Sequence, residues 1–150
     1  MKRSHGQRIG YLSRMAHRYF NEKLREIGIS PGQIFVLKYL YHHDGIHQEV
    51  LVNNCQVHKA NVTRAIAKLE ENDLVKRKSD PKDKRANLLY TTDKARSIKK
   101  EFMSIFSSWT DLLTEGFSED EKQLCYEFLD RMANNVEPAY GDTGHVMHEN

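Results

Sequence analysis

The sequence predicts a mainly α-helical protein carrying one small β-hairpin. Apolar residues recur at steps of three and four along most of the 150-residue chain, and capping signatures recur at the starts of these runs. One charged, proline-containing stretch is flanked instead by two extended arms. The length fits one domain, residues 1–150, and 39% hydrophobic content buries a modest core. A charged fraction of 29% and a mean hydropathy of -0.72 imply much exposed helix, or an elongated protein that covers apolar surface with a partner.

The elements follow in order. Ile9, Leu12, Ala16, Tyr19, Phe20, Leu24 and Ile27 form the stripe of a long amphipathic helix, stopped at Gly28. Ser30-Pro31-Gly32-Gln33 is a capping box with proline at the first helical position. It opens a second helix through Phe35, Leu37 and Leu40 that is expected to end near Asp44-Gly45. A short helix over about residues 48–53 follows, and Cys55-Gln56-Val57 is a tight connection into a fourth. There Val62, Ala65, Ile66 and Leu69 share one face at 100° per residue. The opposite face carries Ala60, Arg64 and Ala67, flanked by Asn61, Thr63 and Lys68, and is polar, basic and low in relief.

Asp73 breaks the helical pattern, and residues 74–80 and 86–92 read as two arms around a charged loop. Pro81 cannot donate to a strand ladder and belongs in that loop. Thr92-Asp93 caps a long helix with the stripe Ala95, Ile98, Phe102, Ile105, Phe106, Trp109, Leu112 and Leu113. Ser118 and Glu121 form a further capping box, opening a helix with Leu124, Cys125, Phe128, Leu129, Met132 and Val136. The tail, residues 138–150, is expected to be flexible.

The net charge of +2 conceals a sorted distribution. Residues 1–29 and 58–114 are each +5, whereas residues 115–150 are -7. This pattern fits one basic working surface, with an acidic terminus that can sit near the basic one, in the same chain or across a dimer.

Several classes of function are disfavoured. No run of about 18 apolar residues spans a membrane and no secretory h-region is present, so a cytoplasmic protein is expected. No P-loop, GxGxxG, GxSxG or HExxH occurs, which argues against an enzyme, and no cofactor is implied. Cys55 and Cys125 lack a CxxC partner and read as reduced structural thiols, a redox-sensing role being the alternative. His42, His43, Asp44 and His47 cluster at a helix end, but adjacent helical histidines point about 100° apart, and a surface turn is the better reading than a metal site. His145 and His148 have chelating spacing without a framework.

A short helix, a brief connection and a second helix with a small, basic outer face form the helix-turn-helix plan, and a basic hairpin directly after it is a wing. The major groove, about 12 Å wide, admits one helix, and Asn61, Thr63 and Arg64 can bond base edges and phosphates while Ala60 and Ala67 leave the approach open. A module that only contacts proteins through this fold is the competing reading, but it has no need of a net charge of +4 in the ten residues from Lys76 to Arg85.

In the segment VHKANVTRAIAKLEENDLVKRKSDPKDKRANLLYTT, Asp83, Arg85 and Leu89 match the Asp-x-Arg-x-x-x-Leu wing signature of the multiple antibiotic resistance regulator (MarR) family. The chain resembles this family of bacterial and archaeal repressors from about Ile9 to Val136. One departure is Asp73 in place of the usual glycine before the hairpin; aspartate tolerates the left-handed conformation that a bend needs. The resemblance implies a winged helix-turn-helix unit, residues 30–92, between dimerisation helices at 1–29 and 93–137. It also implies that Lys59, Ala60, Asn61, Thr63, Arg64 and Lys68 face the major groove of double-stranded DNA. Lys76, Arg77, Lys82 and Lys84 would contact phosphate, and Arg85 would enter the minor groove with its tip held by Asp83 through the backbone or through Arg85 itself. The family's homodimers commonly release DNA on binding a small, often aromatic or phenolic, ligand, so a small aromatic or anionic ligand is a further expected partner. His17, Arg18, Phe35 and Tyr39 are candidates to line such a pocket, with Arg18 pairing an anionic group. A metal- or redox-responsive regulator of the same fold is the alternative.

Overall fold

The computed structural model describes residues 4–55 and 58–140, with Cys55 described in its backbone alone. Helix α1 (His5–Glu26) begins four residues before the first residue of the apolar stripe. Ser4 caps it, accepting a hydrogen bond from the Gln7 amide at 3.3 Å, and the polar first turn carries no apolar signal to read. At the other end Gly28 turns left-handed (φ 74°), letting the Ile29 amide bond back to the Leu24 carbonyl at 2.9 Å.

The capping box at Ser30 is present: the Ser30 amide donates to Gln33 Oε1 at 2.7 Å. The first turn it opens is a 3-10 turn, Pro31–Gln33, which runs into α2 (Ile34–Leu40). Helix α2 therefore ends short of the expected Asp44-Gly45. The Asp44 carboxylate is engaged elsewhere, accepting the Thr91 amide at 2.6 Å, and this draws the chain out of the helix into an extended segment. That segment is β1 (Ile46–His47), a strand the periodicity does not reveal because two residues carry no alternation.

Helices α3 (Gln48–Cys55) and α4 (Lys59–Glu71) follow, the connection at Gln56 and Val57 lying outside the described residues. Asp73 takes φ 55°, so aspartate does make the left-handed bend that precedes the hairpin. Strands β2 (Val75–Ser79) and β3 (Asn87–Thr91) pair antiparallel, Val75 opposite Thr91 and Ser79 opposite Asn87. The expected hairpin is thus part of a three-stranded sheet in the order β1-β3-β2. The wing is stitched to the start of the helix-turn-helix through Ile46 and His47, which pair with Leu89 and Leu88. Gly45 (φ 76°) permits this approach, since a Cβ there would lie 2.9 Å from the Tyr90 ring.

One core joins these parts. Leu37 and Leu40 of α2, Leu51 of α3, Val62, Ile66 and Leu69 of α4, Leu74 and Leu89 are fully buried, as is Phe102 of α5 (Asp93–Leu113). Thr92 caps α5 as read, accepting from the Ala95 amide at 3.1 Å. Aromatic contacts bind α1 to α5: Tyr19 lies 5.1 Å from Trp109, and Phe20 lies 5.4 Å from Phe106, between ring centroids. The last helix, α6 (Glu119–Tyr140), starts at the expected box, with the Ser118 amide donating to Glu121 at 2.8 Å. It continues through Pro138 to Tyr140, past the boundary expected at 137, and residues 141–150, with His145 and His148, lie outside the described residues. No residue of α6 is buried. Leu124, Phe128, Leu129, Met132 and Val136 are exposed, as are Ile9, Tyr11 and Leu12 of α1.

Candidate nucleic-acid interface

The sequence pattern of α4 fixes which face is available. Val62, Ala65, Ile66 and Leu69 are buried against the core, and this leaves Lys59, Ala60, Asn61, Thr63, Arg64, Ala67 and Lys68 exposed on the outer side. These side chains are not equivalent. The Thr63 hydroxyl accepts a hydrogen bond from Gln48 Nε2 at 2.8 Å and donates to the Lys59 carbonyl at 2.9 Å, so it ties α3 to α4. Arg64 donates to the Asn61 side-chain oxygen, which aligns the two as a pair on the surface. Lys68 Nζ lies 2.7 Å from Glu71.

The wing divides in the same way. Lys82, Asp83, Lys84 and Arg85 are exposed at its tip, while Lys76 is half-buried. Asp83 Oδ1 accepts the Arg85 backbone amide at 2.9 Å, and the Ala86 amide bonds to the Asp83 carbonyl at 2.9 Å. Of the two expected forms of the brace, the backbone one is present: the carboxylate shapes the turn and leaves the turn, rather than a salt bridge, to place the guanidinium. Arg77 Nε lies 2.9 Å from Glu70, an ion pair between β2 and the end of α4.

Four contributors escape the sequence reading. Glu70 and Glu71 partner two of the cations expected to face DNA, Arg77 and Lys68. Asp80 is buried, at 8% exposure, where it accepts the Lys82 amide at 2.8 Å, and its other oxygen lies 3.1 Å from His47 Nε2. The signal for Asp80 was its place before Pro81, the pattern of an Asx turn. For His47 there was none, because its partner lies across the sheet.

The four candidate ligand residues fall two on α1 and two on α2. His17 and Arg18 are exposed on α1, where Arg18 lines an open groove with Asn21, Glu22, Arg25 and Glu26. Phe35 lines a separate cleft of about 310 Å³ between the 3-10 turn and α4, with Ser30, Gln33, Asn61, Arg64 and Lys68 among its walls. Tyr39 packs on His43, 4.7 Å between centroids. His42 and His43 are exposed in the turn after α2. Among the described residues no three His, Cys, Asp or Glu side chains gather to hold a metal ion, and no helix is long and apolar enough to cross a membrane.

A helix with an outward basic face, packed on a shorter helix and followed by a cationic hairpin, defines a winged helix-turn-helix DNA-binding transcriptional regulator rather than an enzyme. The chain belongs to the MarR family. The model of the MarR family matches residues 29–86, which run from just after α1 to the wing loop. The HTH-type transcriptional regulator YybA of Bacillus subtilis (strain 168) is 26% identical over 129 residues, covering 86% of each chain. A MarR transcriptional regulator from Methanosarcina mazei Go1 has a similar structure, with TM-score 0.74 and 31% identity over 90% of this chain and 97% of that one. The fold is also shared with a mutant MarR from Escherichia coli complexed with operator DNA, at TM-score 0.70 and 23% identity, covering 85% of this chain and 91% of that one.

Proposed function

We propose that this regulator is a cytoplasmic homodimeric repressor that reads an imperfect palindrome in double-stranded DNA, with α4 in the major groove and the wing in the minor groove. The observation that carries this reading is the exposed cationic tip at Lys82, Lys84 and Arg85, whose turn is shaped by Asp83. A narrow A·T-rich minor groove has an enhanced negative potential that attracts an arginine held in this way. Lys59, Asn61, Arg64 and Ala60 form the surface offered to base edges and neighbouring phosphates. Lys76, Arg77 and Lys68 contribute to the field, the last two with carboxylates already beside them. The unburied α6 and the exposed start of α1 support a two-fold dimer, which sets two recognition helices about one helical turn of DNA apart.

Duplexes selected from a random pool by the full chain test the reading. Their affinity should fall with log salt at a slope of about -0.9 per phosphate neutralised. Arg85→Ala should weaken binding to the selected duplex by roughly 1 to 3 kcal/mol and leave the dimer intact. Equal affinity for all duplexes, or unchanged binding by Arg85→Ala, would overturn it.

Release by a small aromatic anion is supported by the cleft under Phe35, because Arg64 and Lys68 on its wall are also DNA-facing residues. A ligand held there would occupy charges that DNA needs. A panel of benzoates and phenols that leaves the affinity of the selected duplex unchanged removes this part of the proposal.

A further inference from the structure

We propose that His47 is a positioning residue for the wing, acting through Asp80 to set where Arg85 stands. His47 is not on the surface assigned above to DNA; it ends β1, immediately before α3, and so belongs to the helix-turn-helix rather than to the hairpin. Its Nε2 nevertheless lies 3.1 Å from Asp80 Oδ2, at the base of the wing loop.

The loop between β2 and β3 is organised from its two aspartates. Asp83 shapes the tip, and its side chain is exposed. Asp80 closes the base: its amide donates to the Ala86 carbonyl at 3.0 Å, and its Oδ1 accepts the Lys82 amide at 2.8 Å. Because Asp80 is only 8% exposed, its carboxylate has little access to water, and a buried carboxylate oxygen is costly unless it is hydrogen-bonded or paired. One oxygen is satisfied from within the loop. The other lies 3.1 Å from Nε2 of His47, on a different element 33 positions away in the chain. The conformation that carries Arg85 is therefore held in part from outside the hairpin, by a residue whose backbone is paired to Leu88 of β3. The β1 pairing fixes the strand, and the side-chain pair fixes the loop above it.

This inference rests on the reading of Arg85 as a DNA contact, and its test separates the two. Full-chain wild type, His47→Ala, His47→Gln, Arg85→Ala and the His47→Ala/Arg85→Ala double variant are titrated onto the duplex selected by the wild type, with thermal melts and sedimentation confirming folded dimers. His47→Leu, which keeps bulk without the N–H, runs in parallel in case the alanine variant fails to fold. His47→Ala and His47→Leu should weaken binding on the order of tenfold, within the loss caused by Arg85→Ala. His47→Gln retains an N–H donor without adding charge and should recover most of that loss. In the Arg85→Ala background the His47 substitution should change affinity by less than about twofold, since no arginine remains to be aimed. Wild-type affinity for His47→Ala or His47→Leu overturns the proposal. So does an equal loss with and without Arg85, which would assign His47 to general stability. An Arg85→Ala variant that binds normally overturns the minor-groove reading itself and this inference with it.

Discussion

Arg77 and Lys68, which the proposed function sets toward DNA, already carry carboxylate partners, and this separates them from the cations of the tip. Arg77 and Glu70 are each about one-third exposed, so the pair is partly shielded and joins the end of α4 to β2 across the Asp73 bend. A guanidinium held in this way offers less of its charge to phosphate. Glu70→Gln should release it, making the slope of log affinity against log salt steeper by up to about 0.9, measured by titration between low and moderate salt. An unchanged slope would mean that Arg77 serves only to hold β2. At this scale the sequence disclosed what is local: Asp83 and Arg85 are two positions apart, and their relation can be read from the turn they share. Asp80 with His47, Gln48 with Thr63 and Asp44 with Thr91 could not be read in this way, because each contact depends on how distant segments dock.

The helices and the two long strands were legible because each buries one face, and burial writes a period into the chain. Their ends were less so. Helix α2 stops where Asp44 is recruited by Thr91, and α6 runs on through Pro138, neither of which leaves a periodic mark. The bend at Asp73 was legible as a departure from glycine, and its φ of 55° makes a prediction. Asp73→Gly should raise thermal stability by up to about 1 kcal/mol, by removing a Cβ from the left-handed region, whereas Asp73→Ala keeps the Cβ, loses the short polar side chain that tolerates this conformation, and should lower stability. The junction of α2 with α5 gives another. Tyr41 donates to the Ala95 carbonyl at 2.6 Å, and burial pushes its phenol up to about 12, from 10.0. Unfolding frees that phenol to ionise, so its contribution to stability is intact below pH 10 and is lost as pH rises toward 12. Tyr41→Phe should lack this alkaline component in melts recorded across that range.

For the whole molecule, the exposed apolar side chains of α1 and α6 are the dominant fact. A helix of 22 residues with none buried gains no core packing from its own chain, and the apolar positions it exposes are the ones whose spacing marked it as amphipathic. Sedimentation should give a mass twice 17.5 kDa, and the thermal midpoint should rise with protein concentration. Replacing both Phe128 and Leu129 by glutamate should yield monomers that bind the selected duplex more weakly; a dimer that survives would place the interface elsewhere. The two-sided pattern of α4 also governs how a protein of this kind can diverge. Its inner residues are committed to a core shared with α2, α3 and β3, so a duplicated copy can drift toward a new operator only through the outer ones. Ala60 and Ala67 are free to vary in that sense, and Asn61 and Arg64 vary as the hydrogen-bonded pair they form. Thr63 and Glu70 are not: Thr63 is bound to Gln48 and Glu70 to Arg77, so new preferences that pass through them require paired changes and should arise more slowly.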